Sequence, residues 1–195
     1  MILKMRVFIA IKLPANIKDE LRQIEADLGK CNLAVKWVDP QNMHLTLKFL
    51  GKVAEEKIEE IKKIIEDVAA QFNPFVVNFK EFGFFPNERR PRIFFISTDK
   101  EDKLKNISVV LEKRLEKIGF KPEFRFKSHI TLARFKETKN IDCLKREVEN
   151  ITIEETFPVK EITLVKSTLT KSGPIYEEIF NAQMRQNKSD LKRLI

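Results

Sequence analysis

Apolar side chains recur at three- and four-residue intervals along several stretches of the chain, which is the spacing of one face of an α-helix. The clearest case is residues 58–68, where isoleucine and valine are separated mostly by charged residues. Gly119 is placed to end one of these stretches. The pattern predicts four helices, at Asn16–Gly29, Glu55–Phe72, Glu101–Ile118 and Ile141–Val148.

Short runs of branched and aromatic residues lie between these helices and predict strands. The order of elements is similar in the two halves of the chain, so we expect one α+β domain of two related lobes over residues 1–184. Residues 185–195 are predicted to form a basic, loosely held tail. The candidate strands are Met5–Leu13, Val35–Val38, His44–Leu50, Phe75–Phe79, Ile93–Ser97, Phe124–Phe126, Ser128–Phe135, Val159–Leu169 and Ile175–Phe180.

The charge of the chain favours a polyanionic partner. Lys and Arg total 37 against 29 Asp and Glu, which gives a formal net charge of +8. Nucleic acid is the first such partner to consider, although abundant Lys and Glu is also a feature of heat-adapted proteins. No GxxxxGK[ST] loop is present in the sequence, which argues against a Walker-type nucleotide hydrolase.

The sequence gives no indication of a membrane-spanning helix or a signal peptide. Its mean hydropathy is −0.31, and no apolar run approaches the roughly 18 residues that a membrane helix needs. The apolar N-terminal stretch is short, is interrupted by Lys12, and is not followed by a convincing cleavage site. We therefore expect a soluble, cytoplasmic protein without a membrane partner.

Cys31 and Cys143 lie far apart and form no CxxC motif. With two histidines in the whole chain, a structural zinc site is not expected. Two isolated thiols without a signal peptide are typical of a reducing compartment. We expect both to be ordinary buried, reduced cysteines.

The two histidines of the chain fall in the same local pattern, HLTL at 44–47 and HITL at 129–132. Side chains of a strand alternate between its faces, so each His and Thr would share one face while the apolar residues anchor the strand in the core. A half-buried strand whose polar side chains face the solvent would explain one such segment. It does not explain why both histidines occupy matched positions.

Two histidines that face one groove suit phosphodiester chemistry. A neutral imidazole can take a proton from the attacking oxygen while an imidazolium gives one to the leaving oxygen. The hydroxyls of Thr46 and Thr131 would donate to the phosphate oxygens where charge accumulates. None of these roles requires a metal or another cofactor, and no carboxylate cluster accompanies His44 or His129 in the sequence.

The paired motifs resemble those of the 2H phosphoesterase superfamily, and within it the RNA 2′,3′-cyclic phosphodiesterases, also called 2′-5′ RNA ligases. The resemblance covers about residues 5–181, essentially the whole folded part. The similar segments outside the motifs are Arg6–Ile11, Trp37–Val38, Lys48–Gly51, Phe84–Pro86, Pro91–Arg92, Gly119–Phe120, Ala133–Phe135 and Ser172–Tyr176.

This resemblance implies a bilobal α+β fold in which two antiparallel sheets, each with helices on its outer face, form a V-shaped cleft. It implies hydrolysis of RNA 2′,3′-cyclic phosphate ends to 2′-phosphates, and the reverse joining of such an end to a 5′-hydroxyl through a 2′-5′ bond. By motif position, His44 is the general acid and His129 the general base, and Thr46 and Thr131 bind the phosphate. The expected partners are RNA ends, for example those of tRNA halves, and the protein is expected to be a monomer.

Arg134 lies five residues after His129, and strict alternation would place Ala133 rather than Arg134 in the groove. A β-bulge or the end of the strand would turn Arg134 inward, and the resemblance favours its contact with the phosphate. Three more arginines lie in the predicted loop Gly83–Arg92: Arg89, Arg90 and Arg92. They could steer the RNA backbone electrostatically. The alternative interpretation is that they are the solvated residues of a surface loop.

Most of the 16 phenylalanines are expected in the core. Phe49, Phe84 and Tyr176 are candidates to stack on a base at the rim of the cleft, and packing is the alternative for each. Lys166 stands before Ser167, where relatives often carry an aromatic residue. The resemblance therefore does not extend to base stacking at that position.

Two other classes of function use the same features. A non-catalytic RNA-binding module would dock phosphates in the cleft, but it has no need of two titratable groups at matched positions. A phosphodiesterase for 2′-5′-linked oligonucleotides or small cyclic nucleotides would need the same histidines. We expect an enzyme, and the sequence does not choose among these substrates.

Overall fold

A computed structural model describes residues 3–123, 125–171 and 173–185. In this part of the chain the helices are α1 (Ala15–Leu28), α2 (Ile58–Ala69), α3 (Glu101–Glu116) and α4 (Ile141–Val148). The strands are β1 (Lys4–Lys12), β2 (Val35–Trp37), β3 (His44–Ala54), β4 (Phe75–Phe85), β5 (Ile93–Thr98), β6 (His129–Phe135), β7 (Thr156–Val159), β8 (Glu161–Leu169) and β9 (Pro174–Gln183).

The described strands join in one path, in the order β7-β4-β5-β6-β3-β1-β8-β9, with β2 paired to β6. Every neighbouring pair is antiparallel. At the centre of this path, β3 and β6 are neighbours with one register pair, Leu45↔Ile130. The predicted two-lobed α+β fold is confirmed, and its two sheets are continuous through these two motif strands.

The helices cover the faces of the sheet that the sequence pattern predicts to be apolar. The inner face of α2 buries Ile58, Ile61, Ile65 and Val68, and this helix packs on β8, β9 and α3, while α3 also packs on β3. Each fully buried aliphatic side chain contributes about 1.5–3 kcal/mol. Within the described residues, none of the helices has the length and apolar character needed to cross a membrane.

Most of the predicted elements are confirmed within a few residues, but one strand is much longer than predicted. The chain remains in β4 to Phe85, whereas the sequence predicts an end at Phe79. A register shift between Phe79 and Phe82 interrupts the alternation there, so the pattern fails although the pairing with β5 continues. The predicted loop Gly83–Arg92 therefore begins at Pro86.

Other boundaries also differ from the predictions. β3 continues four residues beyond the predicted Leu50, β9 continues three residues beyond Phe180, and α2 ends three residues before Phe72. A 3₁₀ turn, Glu55–Lys57, precedes α2, and the predicted strand Val159–Leu169 is divided between β7 and β8 at Lys160. Of the predicted strand Phe124–Phe126, the first residue lies outside the described part, and the other two residues are not in a strand.

Cys31 and Cys143 form a disulfide, with Cα atoms 5.6 Å apart across a sequence separation of 112 residues. The prediction of two reduced cysteines was wrong, because distance along the chain says nothing about the packing of residues 29–31 against α4. A cross-link that closes a loop of this length stabilises the fold by about 5 kcal/mol in the chain-entropy account.

The predicted basic tail lies outside the described residues from position 186 onward. Its first residue, Arg185, donates its backbone N–H to the carbonyl of Phe72 at 2.9 Å. This residue is therefore attached to the end of the α2 region.

Candidate active site

The pairing of β3 with β6 brings the two motifs together. Leu45 and Ile130 are register partners and both are fully buried. Partners in an antiparallel pair point to the same face, and their chain neighbours point to the other face. The four motif side chains therefore share the face opposite the core, and all four line one cleft of about 1180 Å³: His44, Thr46, His129 and Thr131.

Each histidine ring makes the same kind of hydrogen bond, to the backbone carbonyl two residues before it. The Nδ1 atom of His44 lies 2.7 Å from the carbonyl oxygen of Asn42, and that of His129 lies 2.8 Å from the carbonyl oxygen of Lys127. A carbonyl oxygen can only accept, so Nδ1 carries the proton in both rings. Nε2 is left to accept a proton when the ring is neutral and to donate one when it is charged.

The segment before His44 is itself fixed. The Asp39 carboxylate accepts the backbone N–H of Gln41 at 2.9 Å and starts a 3₁₀ turn over Pro40–Asn42. The Asn42 side-chain amide donates to the carbonyl of Pro174 on β9 at 3.1 Å. These contacts hold the carbonyl that orients the imidazole.

The segment before His129 is fixed by different groups. Buried Ser128 shares a hydrogen bond with Thr98 on β5. The Lys127 ammonium lies over the rings of Phe85 and Phe95, at 5.4 and 4.9 Å from their centroids. Both contacts anchor the residues whose backbone orients this second imidazole.

Aromatic side chains surround both histidines. The His44 ring lies 4.6 Å from that of Phe8 and 5.4 Å from that of Tyr176. The His129 ring lies 5.0 Å from that of Phe85 and 5.5 Å from that of Phe95. Both imidazoles are therefore packed on apolar surface, which disfavours their charged forms.

Burial is the main cause that lowers the pKa of both histidines. It lowers the pKa of His44 to about 4, with smaller contributions from the charges of His129, Lys18 and Arg134. Burial also lowers the pKa of His129, with help from Lys127 and Arg134. At pH 7 and without an anion in the cleft, both rings are neutral.

The same irregularity occurs in both motif strands, three residues after the histidine. Along β1–β3, Ile9 pairs with Lys48 and Ala10 with Thr46, which leaves Leu47 as an extra residue. Along β5–β6, the partners of two consecutive β5 residues are Ala133 and Thr131, which leaves Leu132 extra. A bulge of this kind reverses the alternation beyond it.

The bulges determine which later side chains face the cleft. Leu47 and Lys48 are both buried, and so are Leu132 and Ala133. The next residue of each strand, Phe49 and Arg134 respectively, lines the cleft. The β-bulge that we considered as one way to turn Arg134 toward the cleft is therefore present in β6. The corresponding bulge in β3 turns Phe49 toward the cleft at the equivalent position of the other lobe.

A buried ion pair lies behind the first motif. The Lys48 ammonium is 2.9 Å from the Glu112 carboxylate, and the two side chains are 4% and 3% exposed. Lys48 also donates to the carbonyl of Lys121, and Glu112 accepts the backbone N–H of Glu123. The pair therefore connects β3 and α3 to the segment that leads to the second motif.

Sequence reasoning missed two basic residues of the cleft, Arg6 and Lys36. Alternation in β1 places Arg6 on the face opposite the buried Val7 and Ile9, but only the pairing of β1 with β3 shows that this face meets the cleft. With Arg134 they outnumber the acidic lining residues, Glu25 and Asp39. The cleft therefore carries a net positive charge.

Arg89, Arg90 and Arg92 are exposed and are not among the described residues that line the cleft. The Asn87 side chain accepts the backbone N–H of both Arg89 and Arg90. The loop begins directly after Phe85, which contacts His129. These arginines thus lie beyond the His129 side of the cleft.

The remaining candidates are engaged in packing or in an ion pair. Phe84 packs on Phe94 and Phe135, and Tyr176 packs on Phe8 and His44. Lys166 pairs with Glu177 at 2.9 Å. Tyr176 also lines the cleft. Base stacking at Phe84 and Tyr176 stays a prediction.

Comparisons with known proteins agree with this geometry. The sequence model of the family described as LigT like Phosphoesterase matches residues 11–95 and 96–176, so that each match contains one motif. The chain is 37% identical over 177 residues to a Methanocaldococcus jannaschii protein named RNA 2′,3′-cyclic phosphodiesterase, covering 90% of this chain and 98% of the relative. It is 32% identical over 180 residues to a protein of that name from Methanothermobacter thermautotrophicus, covering 91% and 97%.

Solved structures show the same fold. A crystal structure of a Thermus thermophilus protein superposes with a TM-score of 0.78 at 27% identity, covering 94% of this chain and 100% of the other. E. coli LigT, crystallised with 3′-AMP, superposes with a TM-score of 0.71 at 23% identity, covering 94% and 100%. From the family match, the similar relatives and the shared fold, the chain belongs to the LigT-like phosphoesterases and is an enzyme of that class.

Proposed function

We propose that this phosphoesterase hydrolyses RNA 2′,3′-cyclic phosphate ends to 2′-phosphate ends by two-histidine acid–base catalysis. The observation that carries the proposal is the matched pair of imidazoles in one cleft, each with Nδ1 bound to a carbonyl and Nε2 left for proton transfer. The basic cleft fits an anionic substrate. The names of the relatives favour a cyclic phosphate at an RNA end.

In the proposed mechanism, His129 takes a proton from water as it attacks phosphorus, and His44 gives a proton to the leaving 3′-oxygen. In-line displacement needs a base on one side of phosphorus and an acid on the other. Because burial lowers the pKa of His44 to about 4 in the absence of a bound anion, this assignment requires the negative charge of the bound phosphate to raise that pKa, so that His44 takes up a proton from solvent.

The phosphate oxygens are bound by hydroxyl and guanidinium groups. Thr46 and Thr131 share the groove face with the histidines, so their hydroxyls donate to the oxygens on which charge accumulates. Arg134 reaches the cleft and adds a positive charge. The exposed arginines of the 86–92 loop steer longer RNA toward the His129 side.

Ligation uses the same groups with a different nucleophile. A 5′-hydroxyl in the position of the water attacks the cyclic phosphate and forms a 2′-5′ bond, with the roles of acid and base unchanged. Every step is assigned to side chains, and the proposal includes no metal. We propose a monomer that acts on cytoplasmic RNA ends such as tRNA halves.

The test uses a dinucleotide that ends in a 2′,3′-cyclic phosphate, with protein treated with EDTA. Full hydrolysis in the chelator is expected. Activity that disappears and returns with Mg²⁺ or Zn²⁺ would refute the metal-free mechanism. Parallel incubations with a 2′-5′-linked dinucleotide and with a 3′,5′-cyclic nucleotide test the other phosphodiesterase assignments, and binding without turnover of any substrate would indicate a docking module.

A further inference from the structure

The cations on the three adjacent strands β3, β1 and β8 fall into two groups. One group has a carboxylate within 2.9 Å of each ammonium: Lys12, Lys48 and Lys166. The other group is exposed, and in the part of the chain that the structure describes none of its members belongs to an ion pair: Lys4, Arg6 and Lys52. The charges without a carboxylate partner therefore gather where β1 begins and β3 ends.

Two of these cations stand directly opposite each other. Arg6 and Lys52 are register partners across β1 and β3, so they point to the same face of the sheet. The adjacent register pair, Met5 and Val53, points to the other face and packs in the core. Like charges directly opposite on one face destabilise a sheet. This pair is therefore unfavourable for the fold, and an anion bound between the two side chains would remove the repulsion.

The same charges lead out of the cleft on the His44 side. Arg6 lines the cleft, and Phe8, two residues further along β1, packs on the His44 ring with centroids 4.6 Å apart. Lys4 lies two residues before Arg6 on the same face, about 7 Å along the strand. We call Lys4, Arg6 and Lys52 the basic row. It begins inside the cleft and continues beyond it.

In-line displacement determines which RNA strand reaches the basic row. In the proposed mechanism the attacking water is on the His129 side of phosphorus, and the leaving 3′-oxygen is on the His44 side. That oxygen is bonded to C3′ of the terminal ribose, and the upstream chain continues from the adjoining C4′. The strand that ends in the cyclic phosphate therefore leaves the cleft on the His44 side.

We propose that the basic row binds the upstream phosphates of the RNA strand that ends in the cyclic phosphate. This inference rests on the proposed function and extends it, because it gives each strand of a ligation its own side of the cleft. The phosphate on the 5′ side of the terminal nucleotide lies between Arg6 and Lys52, and the next phosphate lies at Lys4. The strand with the 5′-hydroxyl then enters on the His129 side, where the 86–92 loop lies.

The test measures binding, so that it does not depend on hydrolysis. Fluorescence anisotropy compares a 5′-labelled decanucleotide that ends in a 2′-phosphate with a 3′-labelled decanucleotide that has a 5′-hydroxyl. Lys4→Gln/Lys52→Gln should reduce the log–log salt slope of the 2′-phosphate strand by about 1.4, since each phosphate contact contributes about 0.7. Its affinity at 0.1 M salt should fall by about 10- to 50-fold. The 5′-hydroxyl strand should lose about threefold or less.

The matched control is Lys105→Gln/Lys113→Gln on α3, which removes the same charge from exposed positions that do not line the cleft. It should change the binding of neither strand. Equal weakening of both strands by Lys4→Gln/Lys52→Gln would overturn the assignment of the basic row to one strand, and unchanged binding of both would exclude the row from the path of the RNA.

Two outcomes separate this inference from the proposed function. A selective loss for the 2′-phosphate strand supports the basic row even if wild type hydrolyses no cyclic phosphate. Equal losses refute the row even if hydrolysis is confirmed. Hydrolysis of adenosine 2′,3′-cyclic phosphate, which has no upstream phosphate, should stay within about twofold of wild type in Lys4→Gln/Lys52→Gln.

A further variant separates the loss of binding from a loss of folding. Lys52→Glu replaces the repulsion from Arg6 with an attraction, so the melting temperature should rise by about 1–4 °C. Binding of the 2′-phosphate strand should nevertheless be weaker than in wild type, by at least as much as in Lys52→Gln. A melting temperature below that of wild type would contradict the repulsion, and undiminished binding would contradict the proposed role of the row.

Discussion

The half-site around β3 and the half-site around β6 share the groups to which we assign proton transfer and differ in a residue that each places in the cleft after its motif. Each contains a histidine bound through Nδ1 to the carbonyl two residues before it. Each has a bulge after its threonine. After that bulge one strand places Phe49 in the cleft and the other places Arg134. In the proposed mechanism, proton transfer uses the histidines that both halves contain, whereas Phe49 and Arg134 make the two sides of the cleft chemically different.

The largest effect should come from removing either shared imidazole. His44→Ala and His129→Ala should each reduce hydrolysis of a cyclic-phosphate dinucleotide by about 10²–10⁴-fold. The double variant should be little worse than either single variant, because the two groups act as a unit. Steady-state rates test this, with circular dichroism as the control for folding. A single variant with nearly wild-type turnover would show that the two half-sites are not both catalytic.

The threonines should give the next largest effect. Thr46→Val and Thr131→Val keep the shape and the strand propensity while removing one hydroxyl, and a lost donor to the developing charge costs up to about 4 kcal/mol. We expect kcat to fall by roughly 10- to 1,000-fold in each variant. Unchanged rates in both would assign the threonines a structural role.

The pH dependence should differ between kcat/KM and kcat. The active free enzyme carries one proton on the pair, and it loses that proton as the pH rises through the higher of two pKa values that burial has lowered. The optimum of kcat/KM should therefore lie below pH 6.5, the ordinary histidine value, with a decline of about tenfold per unit above it. A bound phosphate raises the pKa of the adjacent imidazole, so the optimum of kcat should lie higher. Identical pH optima of kcat/KM and kcat at pH 7 or above would contradict the assignment of two buried histidines that are neutral in the free enzyme.

The smallest effect concerns the loop beyond the His129 side. Charge reversal of Arg89, Arg90 and Arg92 to Glu should flatten the salt dependence of binding to a long single strand, since each phosphate contact contributes about −0.7 to the log–log slope. Dinucleotide turnover should change little. The matched control is charge reversal of three exposed lysines on α3 or directly after it, Lys105, Lys113 and Lys117. A slope equal to that of wild type in the loop variant would remove this loop from the path of the RNA.

The sequence predicted the shared features of the half-sites well, because they are local. Alternation around Leu45 and Ile130 is enough to place each His and Thr on one face. The fold class followed from the order of apolar patterns. What could not be predicted depends on neighbours distant in sequence: the bulges are set by pairing with β1 and β5, and the Cys31–Cys143 bond by the packing of residues 29–31 on α4. Phe49 and Arg134 stand at equal distances from the two histidines in the sequence, but that both side chains face the cleft is visible only once both registers are known.

The identity of the product end tests the central claim most directly. A 2′,3′-cyclic phosphate can open on either side, and the outcome depends on which ribose oxygen lies opposite the attacking water. With water activated by His129 and the 3′-oxygen protonated by His44, the product of wild-type protein keeps its phosphate on the 2′-oxygen. Chromatography against authentic 2′- and 3′-phosphate standards distinguishes the two. A 2′-phosphate is the predicted result, and a 3′-phosphate would contradict the assigned arrangement of acid and base.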